Sequence, residues 1–193
     1  MNDLDRAADA LRDGKLVIYP TETVYGLGAD ALDPAAVERV FETKGRDRSK
    51  PVSFAVPGVD AATEYTEPTE QELVFMRTFL PGPVTVLVDR GEAVPDVLTA
   101  GSDRVGVRVP DHEGALDLLS RAAPITSTSA NVSGEPSARE VSEIDESVRE
   151  AVAVVLDGGR TPGTESTVVD VVAEEIVREG AQAAAIRDWF EQR

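Results

Sequence analysis

Apolar residues recur along the chain in two alternating rhythms. Leu4, Ala7, Ala8 and Leu11 fall at i, i+3, i+4 and i+7, which predicts a helix ending near Gly14. Leu16-Val17-Ile18-Tyr19 is a short apolar run stopped by Pro20 and predicts a strand. A polar, glycine-containing loop is expected from Thr21 to Asp30. Asp33-Pro34 has the form of an N-cap with proline in the first turn; Val37, Val40 and Phe41 give that helix its core face, and Lys44-Gly45 ends it. A strand is predicted over 52–56. Thr69 and Glu72 have capping-box spacing before a helix carrying Leu73, Phe75, Met76 and Phe79. Further strands are expected over 83–88, 105–109, 124–127, 152–156, 166–172 and 176–178, with helices over 115–122, 141–151 and 181–191.

Strands and helices therefore interleave, as in a sheet with helices packed on it, an α/β fold (α+β in strict terms). The link from Val172 to Ile176 is too short for a helical crossover, so the sheet is expected to be mixed, not purely parallel. With 193 residues, no repeat and no long linker, one domain over 1–193 is the expectation. In open sheets of this kind ligands are expected over strand ends and the adjoining loops.

Composition narrows the chemistry. The chain has no cysteine and one histidine, His112, which excludes thiolate catalysis and multi-histidine metal sites. Any metal should be a hard, oxygen-held ion such as Mg2+ carried on a nucleotide. His112 is read as a structural helix cap. No apolar run approaches a membrane span, and no signal sequence precedes the first helix, so a cytoplasmic protein is expected. The formal charge is -17, and lysine occurs only at positions 15, 44 and 50. Adaptation to high salt is the favoured explanation; simple repulsion of nucleic acid and anionic membranes is the other. Either way, direct nucleic-acid binding should be weak or absent.

Against that acidic background Lys44, Arg46, Arg48 and Lys50 crowd into one turn. They suit a polyphosphate clamp, or equally a solvated helix C-terminus. Ser127-Thr128-Ser129-Ala130-Asn131-Val132-Ser133-Gly134 offers hydroxyls and backbone N–H groups to an anion, or is an ordinary turn. Arg104 and Arg108 share one strand face at period two. No Ser-His-Asp set and no acid-base carboxylate pair is evident, which points to catalysis by positioning and charge stabilisation.

Six segments, in order, resemble the YrdC-like family. They are Pro20-Thr21-Glu22-Thr23-Val24-Tyr25-Gly26-Leu27-Gly28, Lys44-Gly45-Arg46, Pro81-Gly82-Pro83-Val84-Thr85, Val107-Arg108-Val109-Pro110, Ser129-Ala130-Asn131-Val132-Ser133-Gly134 and Ser166-Thr167-Val168-Val169-Asp170. The resemblance implies a twisted mixed β-sheet flanked by helices, with a large concave site. It also implies an enzyme, a nucleotidyltransferase that makes threonylcarbamoyl-AMP and pyrophosphate from L-threonine, bicarbonate or CO2, and ATP with Mg2+. A tRNA threonylcarbamoyl-transferase complex would act downstream on an adenosine beside the anticodon. Thr23, Arg108, Ser127 and Ser166 would hold threonine. Lys44, Arg46, Lys50, Arg104, Ser129, Asn131, Ser137 and Arg178 would line the ATP side, with no metal held by the protein itself. Two positions depart from the family pattern: Asp47 stands where proline often follows, and Ala55 where some members carry histidine. The chain resembles the family's short form. The alternative reading is a non-catalytic YrdC-like RNA-binding or ribosome-associated protein.

Overall fold

The computed structural model describes residues 2–192. Its elements run α1 (Asp3–Arg12), β1 (Val17–Tyr19), β2 (Gly26–Gly28), α2 (Pro34–Lys44), β3 (Ser53–Ala55), α3 (Val59–Ala62), α4 (Glu70–Phe79), β4 (Val84–Asp89), α5 (Asp96–Thr99), β5 (Arg104–Arg108), α6 (Glu113–Ala122) and β6 (Ile125–Ser129). A 3-10 turn (Val141–Glu143), α7 (Glu146–Ala151), β7 (Val154–Val155), β8 (Thr167–Asp170), β9 (Glu175–Arg178) and α8 (Ala183–Glu191) complete it. The strands form one mixed sheet in the order β7-β1-β2-β6-β3-β5-β4-β8-β9. β1–β7, β3–β5 and β4–β8 pair in parallel, and the other neighbours are antiparallel. The short link after β8 makes an antiparallel pair with β9, as its length requires.

Local chemistry sets the helix ends. Asn2 caps α1 by accepting from the Asp5 amide at 2.8 Å. Asp33 caps α2, which stops where Gly45 turns left-handed at φ 56°. Thr69 and Glu72 form the expected capping box on α4. The imidazole of His112 accepts from the Ala115 amide at 3.3 Å, giving α6 its cap. Burial then fixes the layers. Val17 and Tyr19 pack with α1 and α6, whereas Leu16 and Ile18 pack on the opposite face with α2 and α7. A third and larger cluster joins β3, β4 and β5 to α4 and α8 through Phe54, Phe75, Met76, Val86, Val107 and Ile186.

Two expectations fail locally. The Thr21–Asp30 loop contains a strand, β2, buried throughout. Its glycines carry no strand signal of their own. They are needed because the Tyr19 ring of the neighbouring strand lies over them, and a Cβ at Gly26 would come within 2.8 Å of the Tyr19 ring. The helix expected over 141–151 is broken. Ile144 drops into the core in extended conformation, and Asp145 starts a new helix by capping the Ser147 amide at 2.9 Å. The helices α3 and α5 are too short to show a period in sequence.

Candidate active site

A large concavity, about 740 Å³ in volume, lies across the open face of the sheet. This differs from the expected position over strand ends, because its floor includes mid-strand residues: Leu87, Gly106, Ser127 and Val168. The β5 alternation explains the floor. Arg104, Gly106 and Arg108 face the cavity, while Val105 and Val107 face the apolar core behind. Gly106 keeps the floor open, since a Cβ there would collide with Ser53 Oγ and lie 2.9 Å from Thr85 Cγ2.

All twelve residues singled out from sequence line this one cavity: Thr23, Lys44, Arg46, Lys50, Arg104, Arg108, Ser127, Ser129, Asn131, Ser137, Ser166 and Arg178. They fall into two ends. At one end Arg108 is buried on the last position of β5. It donates to Glu22 Oε1 at 2.6 Å and to Thr23 Oγ1 at 3.4 Å. Thr21 builds the loop that presents both, accepting from the Thr23 amide at 3.1 Å and donating to the Val24 carbonyl at 2.7 Å. Ser166 Oγ and Thr85 Oγ1 are 2.9 Å apart across β8 and β4. Burial pushes the Tyr19 phenol up to about 12, opposed by the nearby Arg108 charge and a hydrogen bond with Ser127. Glu22 Oε2 and Arg108 Nε are both buried with no partner among the described residues.

The other end is cationic. The Lys44 ammonium, at the C-terminus of α2, donates to the Ser129 carbonyl, to the Asn131 carbonyl at 2.7 Å and to Asn131 Oδ1 at 3.4 Å. Asn131 in turn donates to the Val132 and Glu135 carbonyls at 2.9 and 2.7 Å. Lys44 therefore pins the hydroxyl-rich loop in place. Burial, helped by repulsion from Arg46, pushes its ammonium down to about 8. The turn after Gly45 folds Arg46 back, so that Nε donates to the Lys50 carbonyl at 3.0 Å and Nη2 to the Pro51 carbonyl at 2.9 Å. Burial and the nearby Arg178 charge lower the Arg46 pKa. Two guanidinium groups that repel one another make a natural seat for an anion.

The basic turn divides in two. Lys44, Arg46 and Lys50 reach the cavity, whereas Arg48 pairs with Glu38 at 2.7 Å on the outer surface of α2. Arg104 lines the cavity, but its guanidinium is taken up by Glu72 at 2.9 Å, Asp89 at 3.1 Å and Asp170 at 3.3 Å. It ties the α4 cap to the sheet. Of the two departures, Asp47 makes a tight turn by accepting from the Ser49 amide at 2.9 Å. Ala55 is buried with α1 and α6 and does not line the cavity. Sequence reasoning missed Glu22 and Glu165 as site residues. Glu22 lay inside a quoted motif, but its partner Arg108 is far along the chain. Among the described residues no group of three or more His, Asp or Glu side chains converges to hold a metal.

A cavity with a buried arginine at one end and a cluster of cations at the other, on a mixed sheet, makes this an α/β domain whose site is suited to anions. The chain belongs to the Sua5/YciO/YrdC family, whose model, described as telomere recombination, matches residues 9–180. It is 44% identical over 169 residues to a threonylcarbamoyl-AMP synthase of Pyrococcus abyssi, covering 86% of this chain and 49% of that protein. A Bacillus subtilis threonylcarbamoyl-AMP synthase is 37% identical over 168 residues, 85% of this chain and 49% of that one. The chain thus spans about half the length of these two relatives. The crystal structure of P. abyssi Sua5 complexed with L-threonine superposes with a TM-score of 0.86 at 40% identity, covering 92% of this chain and 54% of that one. The fold expectation holds. No helix among the described residues is long and apolar enough to cross a membrane.

Proposed function

We propose that this domain makes L-threonylcarbamoyl-AMP and pyrophosphate from L-threonine, bicarbonate or CO2, and ATP carrying Mg2+. The observation that carries this reading is the two-ended cavity, in which a buried arginine and three hydroxyls face a separate cluster of cations. Arg108 receives the amino acid's carboxylate through the donors not given to Glu22, and Thr23, Ser127 and Ser166 surround it. The amine, once neutral, adds to CO2 and loses a proton to give a carbamate. A carbamate oxygen attacks the α-phosphorus, and the bond to the departing pyrophosphate breaks. Arg46, Lys50 and Arg178 offset the charge gathering on that leaving group. Lys44, Ser129, Asn131 and Ser137 hold the wall against which the nucleotide lies. Arg104 fixes the sheet beneath it. No side chain is required as a nucleophile; positioning and charge supply the rate.

The adenylate would be consumed in the cytoplasm by the complex that transfers the threonylcarbamoyl group to a tRNA adenosine. Pyrophosphate release is the test, measured at high KCl with ATP, Mg2+ and bicarbonate, and with L-threonine, L-serine or no amino acid. Release should depend on threonine and fall by about 100-fold in Arg46→Ala, the scale for one lost charge-stabilising donor. A folded protein that releases no pyrophosphate with threonine would remove the enzymatic reading.

A further inference from the structure

Glu165 lies on the segment between β7 and β8, with 47% of its side chain exposed. One carboxylate oxygen accepts from Ser137 Oγ at 3.0 Å, and the other pairs with Arg178 Nη1 at 3.2 Å. Both partners belong to the cationic end of the cavity, and Glu165 lines it with them. Its charge also reaches Lys44, whose ammonium it favours. An acidic side chain thus stands among the groups expected to receive phosphate. On its other side, Arg178 Nη2 donates to the Ser166 carbonyl at 2.8 Å and to Ser166 Oγ at 3.1 Å.

A carboxylate in that place acts differently on two forms of the same ligand. A bare polyphosphate competes with it for Arg178 and Ser137 and is repelled by it, and at moderate salt that repulsion extends roughly 10 Å. A polyphosphate carrying a divalent cation presents positive charge to the same carboxylate. We propose that Glu165 is the specificity-determining residue that makes this end of the cavity admit metal-bound polyphosphate and reject metal-free anions. The inference rests on reading the cavity as an ATP site, and it concerns which form of the nucleotide is accepted.

Glutamine is the informative replacement, because it removes the charge at nearly the same size and keeps one acceptor oxygen, enough for Ser137 or Arg178 but not both. Binding of inorganic pyrophosphate and of ATP is measured by calorimetry on the whole chain and on Glu165→Gln. Each titration is run with a chelator and again with Mg2+, at one ionic strength, with circular dichroism confirming the fold. Metal-free pyrophosphate should bind Glu165→Gln about fivefold more tightly than the unaltered protein, the scale of one partly exposed charge interaction. The Mg2+ form should change by less than about twofold, so the advantage given by the metal shrinks. Unchanged metal-free affinity would overturn the inference. So would weaker metal-free binding, which would mean that Glu165 only holds Arg178 and Ser137 in place. If neither protein binds either ligand, the ATP site itself is lost and this inference with it. If ATP binds but threonine elicits no pyrophosphate release, the proposed reaction fails. The metal-free affinity ratio still decides the role of Glu165.

Discussion

The two ends of the cavity are built on opposite plans. At the Arg108 end the charge is buried, sits on a strand and is already paired with Glu22. At the cationic end Arg46 and Lys50 sit on a turn, and Arg46 gives its hydrogen bonds to backbone carbonyls while no carboxylate neutralises it among the described residues. The first end is finished before any ligand arrives, so it can select by shape and by a fixed pattern of donors. The second keeps net positive charge available, so it gains affinity from an anion that brings its own counter-charge. The proposed reaction, which joins a small zwitterion to a nucleotide, would use both plans.

The sharpest way to break this comparison is at the buried pair. Arg108→Ala leaves Glu22 as an uncompensated buried charge, and Glu22→Ala does the same to Arg108. Each should lower stability by about 3 kcal/mol. The Glu22→Ala/Arg108→Ala double variant should lose less than the sum of the single changes, since no lone charge remains. Urea denaturation of the four proteins measures this, and single losses well under about 1 kcal/mol would show that the pair is not prepaid in the fold.

The effect next in size is a pH dependence centred on Lys44. Its ammonium is held at about 8 in the folded chain, below the ordinary 10.5 of lysine, chiefly because it is buried. Between those values the unfolded chain binds more protons than the folded one, so stability should rise as pH increases from about 8 towards 10. Above about 10 the slope should turn downward. The Tyr19 phenol, pushed up to about 12, stays protonated in the folded chain while it ionises in the unfolded one. Thermal or urea unfolding across that range should show the rise, and Lys44→Met should flatten it. A rise that persists in Lys44→Met would assign it to another group.

The smallest effect belongs to the exposed rim. Lys50→Ala should leave stability within about 0.5 kcal/mol, as expected for a surface substitution. It should raise the KM for ATP by about threefold with kcat little changed, the scale of one exposed charge contact. Steady-state kinetics with threonine saturating would check it, and a large fall in kcat would move Lys50 into the reacting centre.

Much of this plan was legible in the sequence because it depends on local rules. The basic turn, the capped start of α2 and the left-handed Gly45 lie within a few residues of one another, and together they place Lys44 and Arg46. The period-two spacing of Arg104 and Arg108 correctly put both on one face. The mixed sheet followed from the short link before β9. What escaped was non-local. β2 is a strand only because Tyr19 needs glycine opposite it. Arg104, expected on the ATP side, lines the cavity, and its guanidinium also donates to the Leu87 carbonyl at 2.7 Å and pairs with three carboxylates brought in from α4, β4 and β8. Glu22 sits beside Arg108 because β5 and the loop after β1 meet in space, and no spacing rule joins them.

The sheet order also sets when the site can exist. β8 and β9, which carry Ser166 at their entrance and Arg178 at their end, take their places beside β4, a strand made some eighty residues earlier. A chain emerging from the ribosome can pair β1 with β2 and β4 with β5 as soon as those segments are free. It lacks one wall of the cavity until β8 and β9 appear. The cavity is therefore closed by strands that follow most of the sheet in sequence, and it takes its shape only once β8 docks on β4.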